Sequence, residues 1–219
     1  MTIEFYGHPF SSYCQKALIA LYENDTPFEW RLISPDNAEV SARFATLWPI
    51  KRFPVLVDNG RTVMEASLMI EYLDTCYPGA VRFIPTETQS ALDVRLMDRV
   101  FDNYVSTPLQ KIVFDAMCSE ADRDPHGVTE ARRMLDTAYA WLDKALTGRQ
   151  WAVGDNFSLA DCSAAPALFY ADWTHPIAAA HQQLKAYRKR LLTRPSFARA
   201  VDEARPYRSY FPLGAPDRD

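Results

Sequence analysis

In Trp48-Pro49-Ile50-Lys51-Arg52-Phe53-Pro54-Val55-Leu56-Val57-Asp58-Asn59-Gly60-Arg61-Thr62-Val63-Met64 an apolar run meets Asn59-Gly60 and doubles back. Asn-Gly tolerates the positive φ angles of a tight hairpin turn, so the segment reads as two antiparallel strands. Pro54 heads the first strand, where a missing N–H is tolerated, and X-Pro is the bond type for which cis is accessible. Upstream, Thr2–Tyr6 alternates as a strand, and Ser12–Glu23 carries Ala17, Leu18, Leu21 and Tyr22 at helical spacing. Phe28–Leu32 reads as a strand and Ala38–Leu47 as a short helix. Downstream, Glu65–Tyr77 is helical and stops at Pro78-Gly79. The order β-α-β-α-β-β-α describes a small α/β domain over residues 1–78, its first crossover parallel and its last two strands antiparallel.

Residues 79–89 have no period, are bracketed by Pro78 and Pro85, and read as a linker. Beyond them, over residues 90–219, no strand pattern recurs. Ser90–Met117, Thr129–Leu146, Ser158–Trp173, Gln182–Leu192 and Ser196–Glu203 read as helices, the first kinked by Pro108. The expectation is an α/β domain followed by an all-α domain. Tyr187-Arg188-Lys189-Arg190 reads as a solvated helix face.

The composition, 48% apolar and 24% charged over 219 residues, excludes a disordered chain. A net charge of −4, from 24 basic and 28 acidic residues, gives no electrostatic footprint for nucleic acid. The longest apolar run, Ala164 to Ala171, falls short of the roughly 18–20 residues of a membrane span. The chain opens on a strand pattern instead of a basic segment with an apolar core, so a cytoplasmic protein is expected. Cys14, Cys76, Cys118 and Cys162, like the four histidines, are scattered, which suggests neither a metal site nor a disulfide framework.

Phe10-Ser11-Ser12-Tyr13-Cys14 joins the first strand to the first helix. Free N–H groups at a helix N-terminus attract anions, and Ser11 or Ser12 can serve as N-cap. Cys14, one turn in, reads as a small buried hydrophobe. Glu65 opens the third helix, where the dipole favours a carboxylate.

Taken together, these segments resemble the soluble glutathione transferase superfamily along nearly the whole chain, and its Ser-containing bacterial-type classes in particular. Ser11 followed by Lys16-Ala17-Leu18-Ile19-Ala20-Leu21 matches the head of the family's first helix. Trp48 to Leu56 matches its Asn-Pro-x-x-Lys-Val-Pro-Val-Leu stretch. Glu65-Ala66-Ser67-Leu68-Met69-Ile70-Glu71-Tyr72-Leu73 matches its Glu-Ser-x-x-Ile-x-x-Tyr-Leu, with Ala66 standing where a serine is usual. Gly154 to Asp161 resembles its buried capping box, with Ser158 as cap and Asp161 reaching back.

The resemblance implies a thioredoxin-like N-terminal domain, a helical C-terminal domain and a homodimer; Arg99 and Asp102 on the kinked helix are the candidates for its interface. It also implies a detoxifying transferase that joins glutathione, a co-substrate with no further cofactor, to small hydrophobic electrophiles. Ser11 would stabilise the thiolate, with Ser12 capping the helix. Phe53, before a cis Pro54, would pair with the cysteinyl backbone. Arg52 would meet the glycyl carboxylate, and Glu65 with the Ala66 N–H the γ-glutamyl end. Phe10, Tyr13, Tyr104 and Trp173 are the candidates for the second-substrate pocket. Glutathione-dependent isomerisation, dehalogenation, thiol exchange and non-catalytic binding remain alternatives. The Ser11-Ser12 pair is similar to the isomerase-type (zeta) class, and Tyr13-Cys14 departs from it.

Overall fold

The structure, a computed structural model, describes residues 3–219; Thr2, read above as the start of the first strand, lies outside them. Four strands, β1 (Ile3–Gly7), β2 (Phe28–Leu32), β3 (Val55–Asp58) and β4 (Arg61–Met64), form one sheet in the order β2-β1-β3-β4. β1 and β2 run parallel, whereas β3 is antiparallel to both β1 and β4. The expected hairpin is present, with Asn59 and Gly60 both at positive φ. α1 (Ser12–Glu23), α2 (Ala38–Leu47) and α3 (Ala66–Cys76) complete this thioredoxin-like half.

The helical half contains α4 (Thr88–Val100), α5 (Thr107–Met117), α6 (Pro125–Ala145), α7 (Leu159–Thr174), α8 (Gln182–Leu192) and α9 (Pro195–Ala204). The single kinked helix expected over 90–117 is two helices joined by a π-helical turn, Phe101–Ser106. There the Thr107 N–H and hydroxyl both reach the Asp102 carbonyl, a slip of one residue in the ladder immediately before Pro108. Proline has no N–H and its ring crowds the carbonyl four residues back, so the widened turn relieves both problems. α6 starts earlier than its apolar pattern, at Pro125, because the Asp124 carboxylate accepts the Gly127 N–H. Among the described residues no helix is long and apolar enough to cross a membrane.

The two halves share one hydrophobic core. It runs from Phe5 and Leu56 in the sheet through α1 and Phe83 into α7 and α9. α1 packs between α3, α7 and α9 and is buried continuously from Cys14 to Leu21. The connecting segment is no loose spacer. Phe83 is fully buried, its N–H donates to Asp74, and its carbonyl accepts the Leu159 N–H. Arg188, read as solvated, is buried against Asp172 at 3.3 Å, and Tyr187 is buried beside it.

α7 is buried along its whole length, and its N-terminus is secured as the capping pattern requires. The Asp161 carboxylate accepts the Ser158 N–H at 2.9 Å, the Ser158 hydroxyl at 3.0 Å, the Ala152 N–H at 2.8 Å and the Tyr187 hydroxyl at 2.6 Å. Burial pushes its carboxyl pKa up, and these four donors oppose that shift. Removing the acceptor leaves several buried donors without partners. Asp161→Ala is therefore expected to cost on the order of 3 kcal/mol, against about 1 kcal/mol for Ser158→Ala, read as the two shifts in urea midpoint.

Candidate functional site

The sheet register brings three separated segments to one end. Tyr6 pairs with Val55 and Val55 with Met64, so His8, Phe53-Pro54 and Glu65-Ala66 all follow at the same edge. The loop that continues from His8 carries Ser11 to the N-terminus of α1. There Ser11, not Ser12, is the N-cap: its backbone is extended and its Oγ accepts the Cys14 N–H at 3.3 Å. Ser12 is the first helical residue, one position too late to cap. A hydroxyl accepts and donates at once, so Ser11 Oγ can cap the helix while its proton remains a donor, at Cys14 Sγ or at a ligand in the cavity.

Cys14 faces the sheet as expected. It is fully buried against Gly7, where an added Cβ would lie 2.6 Å from its Sγ, and it accepts the His8 N–H at 3.4 Å. Burial pushes its thiol up to about 12, with the His8 and Ser11 hydrogen bonds opposing, so it stays protonated.

The Phe53–Pro54 bond is cis. Lys51 (φ 57°) and Glu65 (φ 65°) hold positive φ on either side of the site, although neither residue type favours that region. Such backbone outliers gather where a ligand is held. Arg52 and Glu65 are exposed, and neither side chain has an ion-pair partner among the described residues. An unpaired cation and an unpaired carboxylate thus stand at the same end of the sheet as Ser11.

A cavity of about 310 Å³ opens over Ser11. Phe10, Ser11, Ser12, Tyr13, Arg52 and Phe53 form its floor; Leu109, Gln110, Val113, Phe114 and Met117 of α5 form one wall. Tyr170 and the segment Tyr210-Phe211-Pro212 close the other side. Burial and the charge of Asp102 push the Tyr13 phenol up to about 12, so it lines the cavity as a neutral group.

Of the four aromatic candidates, Phe10 and Tyr13 line this cavity, and Tyr104 and Trp173 do not. Tyr104 sits on the outer side of the π turn, half exposed, whereas its neighbours Phe101 and Val105 point inward. Trp173 lies behind the wall, edge-on to Tyr170 and Phe211 (centroids 5.6 and 5.4 Å). The α5 wall escaped the sequence reading. Its signal was an apolar stripe at Leu109, Val113, Phe114 and Met117 wider than the helix needs for packing, since Phe114 and Met117 remain exposed.

Beneath the site, Lys16 is buried with its Nζ 2.7 Å from Asp98 and 2.8 Å from Asp102. It also donates to Ser67 Oγ at 2.8 Å, next to Ala66. Arg99 reaches Ser67, Asp98 and, at 3.2 Å, Asp102. Burial raises the Asp98 carboxyl, but Lys16 and its hydroxyl and guanidinium donors override that and hold it low. Asp102 is lifted by burial and by Asp98. Asp102 is thus an internal group, unavailable to the subunit contact expected of it.

Comparison with known proteins bears on the family. The family model described as "Glutathione S-transferase, N-terminal domain" matches residues 5–80, and "Glutathione S-transferase, C-terminal domain" matches residues 107–195. A probable maleylacetoacetate isomerase of Vibrio cholerae is 28% identical over 94% of this chain and 98% of its own. Human glutathione S-transferase theta-1 is 27% identical over 93% of this chain and 85% of its own. Among solved structures, a glutathione S-transferase of Methylobacterium radiotolerans, in complex with glutathione sulfonate, superposes with a TM-score of 0.79 at 28% identity. It covers 92% of this chain and 95% of its own. The chain belongs to the glutathione transferase superfamily.

The burial pattern of the thiols separates them experimentally. Cys76 and Cys118 are exposed, Cys14 and Cys162 buried. An aromatic disulfide reagent at pH 8 is expected to titrate two thiols in the native protein and four in denaturant; fast reaction at Cys14 in the native state contradicts the site as described.

Proposed function

We propose that the chain is a glutathione transferase in which Ser11 donates a hydrogen bond to the glutathione sulfur. The observation that carries this reading is the Ser11 hydroxyl at a helix N-terminus, lining a largely apolar cavity together with Arg52, with unpaired Glu65 at the same end of the sheet. Glutathione is a zwitterion with two carboxylates and one ammonium. Arg52 suits its glycyl carboxylate, Glu65 its ammonium, and the Ala66 N–H its γ-glutamyl carboxylate, in place of the usual serine. The Phe53 backbone, at the floor of the cavity, suits the cysteinyl unit.

A free thiol with a pKa of about 8.5 is a few per cent anionic at pH 7, and lowering it by about two units takes about 2.7 kcal/mol. One donor to the anion and the helix N-terminus supply energies of that order. The thiolate then attacks an electrophilic carbon held against Phe10, Tyr13 and the α5 wall. Glutathione is the co-substrate and no resident cofactor takes part. Dehalogenation belongs to the same substitution chemistry, whereas thiol exchange through Cys14 is disfavoured by its burial. Glutathione-dependent isomerisation is the second reading, supported by the near full-length similarity to the Vibrio protein and by Ser12 standing beside Ser11 in the cavity. Turnover of an aryl halide separates a transferase from a binding protein without catalysis.

Ser11→Ala is expected to raise the pKa of bound glutathione by about one to two units, read from thiolate absorbance against pH. It should also cost about 1 kcal/mol of stability as a lost cap. Glu65→Ala is expected to weaken glutathione at least tenfold, about 1.4 kcal/mol, by calorimetry. Loss of activity in Cys14→Ala with none in Ser11→Ala would overturn the assignment.

The homodimer is part of the proposal. Arg95 and Glu71 pair across α4 and α3 at 2.8 Å, and Leu68, Leu92 and Leu96 stand exposed around them. Three large apolar side chains in one place suit a subunit contact. Light scattering at micromolar concentration should give twice the chain mass of 25.0 kDa, and the double variant Leu92→Asp, Leu96→Asp the single mass. A monomeric unmodified chain removes this proposal.

A further inference from the structure

His8 follows β1 directly and borders the cavity with Ser11. Its Nδ1 accepts the Phe10 N–H at 3.2 Å. Tyr207 holds the ring edge-on, with centroids 4.5 Å apart, and Tyr210 lies at 6.0 Å. Burial pushes the imidazole pKa below its ordinary value, so the ring is neutral at pH 7. An accepting Nδ1 places the single proton of a neutral ring on Nε2. That N–H has no hydrogen-bond partner among the described residues, and, unlike Trp173 Nε1, it is not sealed inside the protein. The ring is therefore fixed in position and tautomer while its one donor is left open.

We propose that His8 is a further catalytic residue, its Nε2–H donating to an oxygen of the second substrate and selecting α,β-unsaturated carbonyl electrophiles. The inference rests on the transferase reading above. The thiolate sulfur forms a C–S bond at the β-carbon, the C=C π pair moves toward the carbonyl, and the negative charge settles on its oxygen. His8 stabilises that oxyanion without giving up its proton. A proton from water then closes the α-carbon, and the product is a neutral thioether; no oxidant or reductant is consumed. A benzyl halide places its developing charge on the departing halide instead, and offers no oxygen to His8. Apart from Gln110 the α5 wall is apolar and suits either carbon skeleton; the proposal assigns the discrimination to the fixed, open donor of His8.

The test compares the unmodified chain with His8→Phe, which keeps a ring against Tyr207 without a donor, and His8→Gln, which restores one. Each protein is first titrated with glutathione by calorimetry, then assayed for kcat/KM with an enone and with a benzyl halide. The enone-to-halide ratio is expected to fall on the order of 100-fold in His8→Phe, as for loss of one oxyanion donor, and to recover at least tenfold in His8→Gln. A ratio that stays within about threefold in His8→Phe overturns the role of His8 while leaving the transferase reading intact. So does an unmodified chain that binds glutathione and turns over the halide but not the enone. Absence of glutathione binding in the unmodified chain overturns both.

Discussion

Lys16 is the pivot of the molecule. An ammonium with almost no exposure costs a great deal to desolvate, and only the two carboxylates of Asp98 and Asp102 make its position tolerable. Replacing such a cluster by apolar side chains can be neutral for stability; deleting one member strands charge in the core. Its value here is geometric. One ammonium ties α1, which carries Ser11 at its head, to the first turn of α3 through Ser67 and to the helical half through the two aspartates. Ser163 of α7 adds a hydroxyl to Asp98 at 2.5 Å. The relative placement of sheet edge, α1 and α3 is thus set by one point of contact with few alternatives.

From that frame the site divides its labour by chemistry. The sheet edge supplies directional groups: a hydroxyl, a guanidinium, a carboxylate and backbone donors, three of them on segments adjacent only through strand register. The helical half supplies shape. α5, Tyr170 and the Tyr210-Phe211-Pro212 segment offer apolar walls with few polar atoms. The proposed pairing of a polar co-substrate with an apolar electrophile matches this split. Wall residues can be exchanged among apolar types without disturbing the polar frame, whereas Ser11 both caps α1 and lines the cavity.

The sheet half was legible because its signals are local. Alternation, the Asn59-Gly60 turn and the Pro78-Gly79 stop are written within a few residues, and α1, α2, β2 and β4 occupy the ranges those signals mark. Capping was legible as a type but not as a position: two adjacent serines both qualify, and only backbone geometry chose Ser11. The π turn left no signature beyond Pro108, since a slip of one hydrogen bond changes no side chain. The cavity was the least legible part. Its walls come from segments some hundred residues apart, brought together by packing, so of the four aromatics singled out Phe10 and Tyr13 line it, whereas Tyr104 is a surface tyrosine and Trp173 a buttress. His8 was invisible for a related reason, because its tautomer is decided by the Phe10 N–H.

The burial of α1 also orders events in time. Its inward face is complete only when α7 and α9 are in place, and α9 follows α1 by roughly 180 residues along the chain. At ribosomal speeds of about 5–20 residues per second, that is on the order of ten to forty seconds. Throughout that interval part of the apolar surface of α1 stays uncovered, and for about its first half Lys16 waits for the carboxylates of Asp98 and Asp102. The first part synthesised is therefore the last to be finished.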